Sequence, residues 1–123
     1  MTDEYTLNRP TALTCPECGG ALSTEKTGTL LQFRCHIGHV LTADTMLAAQ
    51  YSALEWKLGA CMAALNERAE LCRLLIEAAP KDYDLSLLQA ARREALERAR
   101  VVKELLESDW IESGRDYVRQ LRA

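Results

Sequence analysis

The sequence predicts a mainly α chain: a small Cys3His knuckle with a short β-hairpin, followed by a long antiparallel helical hairpin. Three observations predict it. Cys15 and Cys18 form a Cys-x2-Cys pair, Cys35 and His39 form a Cys-x3-His pair, and sixteen residues lie between Cys18 and Cys35. Apolar residues then recur in steps of three and four from Leu47 to Ile76, the rhythm of one helical face. A second stretch with the same rhythm follows Pro80.

The chain divides into a polar leader (1–13), a knuckle (14–41) and a helical hairpin with a short C-terminal segment (42–123). In the knuckle, Ala21 to Glu25 and Thr29 to Cys35 read as strands around a turn at Lys26-Thr27-Gly28. Leu31 and Phe33 alternate with Gln32 and Arg34, so one face is expected to pack inward. Few apolar residues remain to build a core here beyond Leu22, Leu31 and Phe33. A bound metal is expected to supply much of the folding free energy.

Cys15, Cys18, Cys35 and His39 are the expected ligands of one zinc ion per chain, a set that suits a tetrahedral structural site. The sixteen-residue spacer is room for a hairpin that returns the second pair to the first. Gly19, Gly20 and Gly38 suit tight turns whose amides can point at thiolates. His39 is favoured over His36, because His36 adjoins Cys35 and adjacent residues point apart in extended chain. A redox dithiol at Cys15 and Cys18 is the competing reading. That motif belongs at the start of a helix, and Gly19-Gly20 start one poorly.

Thr42 is the expected N-cap of a helix from about Ala43 to Ala79, with Asp44 in its first turn and Pro80 as the stop. At 1.5 Å per residue this is roughly 55 Å long. Its stripe runs Leu47, Tyr51, Leu54, Leu58, Cys61, Leu65, Cys72 and Ile76. Gly59 interrupts it at a cost of about 1 kcal/mol and is expected to permit a close helix approach. Cys61 and Cys72 are expected to be small buried residues. A loop at Pro80 to Asp84 leads to a second helix from about Leu85 to Glu112, with Leu85, Leu88, Ala95, Ala99, Val102, Leu106 and Trp110 on one face. Arg92 interrupts that face, its head expected to snorkel outward. The short connection makes the helices antiparallel neighbours.

Composition narrows the function. The formal net charge is −3, and acidic residues outnumber basic ones in the first 41 residues, which disfavours a nucleic-acid-binding zinc ribbon. The leader does not read as a signal peptide, and no apolar run reaches membrane-span length. Five cysteines, three in a metal motif, fit the reducing cytoplasm. The apolar faces are wider than two helices need, as Leu74, Leu75, Met62 and Leu96 flank them. A homodimer through the hairpin, or another protein partner, is the expected cover.

The ordered motifs resemble a known pattern. Thr14-Cys15-Pro16-Glu17-Cys18-Gly19-Gly20-Ala21-Leu22, then Leu31-Gln32-Phe33-Arg34-Cys35-His36-Ile37-Gly38-His39, then a Thr42-led helix with Leu47-Ala48-Ala49-Gln50, is similar to the carboxy-terminal module of chemotaxis-type protein-glutamate methylesterases. The resemblance covers about residues 12–110. It implies that Cys15, Cys18, Cys35 and His39 are metal ligands, and it implies an accessory role in a signalling assembly. Esterase activity is not expected to carry over. Those enzymes have a Ser-His-Asp catalytic domain ahead of the module, and only fourteen residues precede Cys15 here. No Gly-x-Ser-x-Gly elbow occurs, and His36 and His39, the only histidines, both lie in the metal motif. The chain is therefore read as a non-catalytic interaction module.

Overall fold

The computed structural model describes residues 9–111. Four strands, β1 (Leu13–Thr14), β2 (Ala21–Thr27), β3 (Leu30–Cys35) and β4 (Val40–Thr42), precede two helices, α1 (Ala43–Ala78) and α2 (Ser86–Glu107). The mainly α class with a small β part is as the sequence predicts. The strands form one antiparallel sheet in chain order, each hydrogen-bonded to the next. The chain divides into two compact units, one running through Tyr51 and the other Ser52–Ile111, and α1 extends from the first into the second.

In the first unit the central hairpin is longer and tighter than expected. Pairing continues to Thr27↔Leu30, which leaves a two-residue loop. Gly28 has φ +65 and no non-glycine among the described residues has positive φ, so the loop follows the type II′ pattern that matches strand twist. Leu13 and Thr14 add an edge strand, and Val40–Thr42 pairs with β3. The core consists of Leu22, Phe33, Leu41 and Met46 around two of the cysteines, Cys15 and Cys35, with Ala43 packed against it. Leu31 does not join it and is 39% exposed. It pairs with Lys26 near the hairpin tip, beyond the reach of the core. Met46, from the first turn of α1, closes the core in its place.

Helix α1 begins as its sequence predicts. The Thr42 hydroxyl donates to the Asp44 carboxylate at 2.6 Å, and this bond is the main reason Asp44 is held below its usual pKa. Farther along, Tyr51, Leu54, Leu58, Met62, Leu65, Ala69, Cys72 and Ile76 are buried or half-buried. Their steps of three and four form a regular seam. Cys61, expected on that stripe, is exposed, because the seam passes through Met62. Gly59 makes no close approach: a Cβ there would meet nothing within 4 Å among the described residues.

On α2 the seam runs Leu85, Leu88, Arg92, Ala95, Ala99, Val102 and Leu106. Ala95 and Ala99 are its buried centre. Arg92 belongs to the seam, half-buried, and its charge adds to the hydrogen bond from Arg73 that chiefly lowers the Glu70 pKa. Asp84 starts the helix by accepting from the Ser86 amide at 3.0 Å and the Ser86 hydroxyl at 2.7 Å. The end comes at Glu107, short of the expected Glu112. The Leu105 carbonyl there accepts from the Ser108 hydroxyl at 2.6 Å and from the Trp110 indole at 2.9 Å, and Ser108 turns extended. Trp110 thus caps the helix rather than sharing its face. The C-terminal segment expected at Arg115 to Ala123 lies outside the described residues.

Candidate metal centre

Two small turns build the centre, and they are variations on one design. In the first, the Cys15 amide donates to the Gly20 carbonyl and the Gly19 amide donates back to the Cys15 carbonyl, at 2.7 and 2.9 Å. In the second, the Cys35 amide donates to the His39 carbonyl and the Gly38 amide donates to the Cys35 carbonyl, at 3.0 and 3.1 Å. Each closure needs a residue that swings through positive φ. Gly38 supplies it at φ +100, a conformation that strains any side chain. The β2–β3 hairpin then sets the two turns side by side.

The ligand atoms of Cys15, Cys18, Cys35 and His39 all lie within 4.8 Å of one another. His39 presents Nδ1, at 3.2 Å from the Cys35 sulfur and 3.7 Å from the Cys15 sulfur. A tetrahedral ion with metal–sulfur bonds of about 2.3 Å and metal–nitrogen bonds of about 2.0–2.1 Å needs sulfur–nitrogen edges of about 3.5 Å, so the donor set fits. Cys15 and Cys35 are buried, Cys18 is exposed and His39 is half-buried. His36 does not join them. Its ring lies over Gly20, where a Cβ would come within 2.6 Å of the imidazole Cε1. A side chain at Gly20 would therefore push aside the exposed His36 ring.

The electrostatics favour the thiolate at two of the three cysteines. Burial pushes the Cys35 thiol up, but the amides of His39 and Ile37 and nearby groups outweigh it and bring the pKa down to about 7. Burial likewise raises Cys15, and the amides of Cys18 and Glu17 together with His39 reverse the direction. Cys18 is stabilised as thiolate by the Gly20 amide, yet burial and the neighbouring cysteines leave its pKa raised. His39 is raised, first by its contact with Cys15. Three thiols this close repel one another once ionised, and a dication removes that repulsion.

One neighbour of the site had no signal in the motif spacing. Glu17 Oε2 stands 3.6 Å from His39 Nε2, the nitrogen turned away from the sulfurs. No family model, no curated protein and no solved structure matches this chain. No helix among the described residues is long and apolar enough to cross a membrane.

Proposed function

We propose that this chain is a zinc-binding protein-interaction module in which the metal is structural and the helical hairpin is the docking surface. The observation that carries the reading is the convergence of four protein ligand atoms within 4.8 Å. A Cys3His set of this kind suits zinc, and four protein ligands leave no coordination position for a catalytic water. Lacking an open position, the centre is read as non-catalytic. The hairpin supports the interaction role: Leu71, Leu74 and Leu75 form an exposed apolar group on α1, away from its seam. We further propose a homodimer through the hairpin, in the reducing cytoplasm. An accessory role beside a chemotaxis-like signalling assembly follows from the motif resemblance, and a knuckle running directly into a long helix is consistent with it.

Native mass spectrometry of the chain, purified without added metal and kept reduced at micromolar concentration, tests both parts. The expected species is a dimer carrying one zinc per chain. A metal-free chain with a Cys15–Cys18 disulfide overturns the zinc reading in favour of thiol redox chemistry. A zinc-loaded monomer overturns only the dimer.

A further inference from the structure

We infer that Glu17 is a positioning residue for the metal ligand His39, so that each knuckle is completed by a residue of the other. This rests on the metal reading above. If Nδ1 of His39 faces the sulfurs and takes the metal, Nε2 must carry the proton. A protonated Nε2 needs an acceptor, and ligating histidines usually find one in a carboxylate, a backbone carbonyl or water. Glu17 Oε2 is 3.6 Å away, slightly long for a hydrogen bond, and both side chains are partly exposed, at 36% for His39 and 58% for Glu17. A hydrogen bond there requires the exposed Glu17 side chain to move a few tenths of an ångström closer, to about 3.2 Å or less.

The placement follows from the fold. Glu17 is held between two ligands in the Cys15–Cys18 turn, whose closing bonds fix its backbone. The β2–β3 pairing Leu22↔Cys35 brings the second turn, and with it His39, alongside. The contact is matched from the other side, where His36 of the second turn covers Gly20 of the first. Glu17 therefore selects which imidazole nitrogen faces the thiolates and holds the ring against rotation. A carboxylate near a metal site is often read as a general base. Here it faces the far nitrogen of a ligand, where it can act only through that ligand.

The test compares zinc affinity of the full chain, by competition with a chromophoric chelator, between wild type, Glu17→Ala and Glu17→Gln. Loss of the carboxylate should weaken zinc about 10- to 100-fold, as outer-shell changes do. The same substitution in a His39→Cys background should change affinity little, because the imidazole through which Glu17 acts is gone. Nitrogen–proton correlation spectra of zinc-loaded wild type should show His39 bound through Nδ1, with its Nε2 proton protected from exchange, and Glu17→Ala should lose that protection. Equal loss in both backgrounds, or an Nε2-bound His39, overturns the inference while leaving the metal site intact. Failure of wild type to bind zinc overturns the metal reading itself.

Discussion

The two units of this chain are held together by opposite means. In the first, two of the buried residues are candidate ligands, Cys15 and Cys35, and among the described residues Leu22, Phe33, Leu41 and Met46 surround them. In the second, the buried positions are small and carry no site chemistry: Ala69, Cys72, Ala95 and Ala99. Among the described residues the first unit's core is built around its candidate ligand site, so a bound ion is expected to strengthen its order. The second has a seam of 3–4 spacing along both helices, which needs nothing from outside to form. The difference shows that a short sheet can hold four ligands in place when turns, rather than packing, set their geometry.

Removing the metal should produce the largest contrast between the units. A strong chelator should abolish hydrogen-exchange protection at the turn amides of Cys15, Gly19, Cys35 and Gly38. The first turn of α1 should fray with them, since Met46 and Ala43 pack on the same core. Helical circular dichroism should stay largely intact. Complete loss of helicity would show one cooperative unit instead of two.

The converse perturbation is Ala95→Leu. Ala95 is 1% exposed at the centre of the α2 seam, so the extra volume forces the helices to shift. Overpacking of this kind costs about 1–3 kcal/mol. Denaturant melting of zinc-loaded protein should show that loss in the helical signal, while zinc stoichiometry stays at wild-type level. Loss of metal from the Ala95→Leu variant as well would mean the units do not respond separately.

Much of this arrangement is legible in the sequence. The four ligand positions are given by spacing, because Cys-x2-Cys and Cys-x3-His turns have few ways to converge. The start of α1 is legible through Thr42 and Asp44, whose side chains bond each other at the head of the helix. What sequence does not show depends on contacts distant along the chain. Leu41 and Met46 enter the core because β4 pairs with β3, and neither carries a local sign of it. The expected stripe departs from the seam at Leu47, which is 46% exposed, and at the turn where Cys61 and Met62 are adjacent and equally apolar and only the packing chooses between them. Helix α2 stops at Glu107 because Ser108 and Trp110 reach back to one carbonyl, a capture that periodicity cannot register. The contact of Glu17 with His39 is likewise hidden, since its partner sits in the opposite turn.

The smallest expected effect sharpens the comparison by strengthening one unit alone. Gly59 lies inside α1, within the second unit, where glycine costs about 1 kcal/mol relative to alanine through backbone entropy. A glycine in a helix is often retained because another backbone or side chain occupies the space of its Cβ. Here that space is open for 4 Å among the described residues, so alanine adds no clash. Gly59→Ala should therefore stabilise the helical unit by about 0.5–1 kcal/mol. Denaturant unfolding followed by helical circular dichroism measures the gain, and chelator competition should give wild-type zinc affinity. A loss of stability would mean that something packs tightly on Gly59, and the proposed second copy of the hairpin would be the first candidate. Repeating the melt over a range of protein concentrations separates those cases. A penalty that grows with concentration places Gly59 in the interface between copies, whereas a concentration-independent gain leaves the glycine as an isolated weak point of α1.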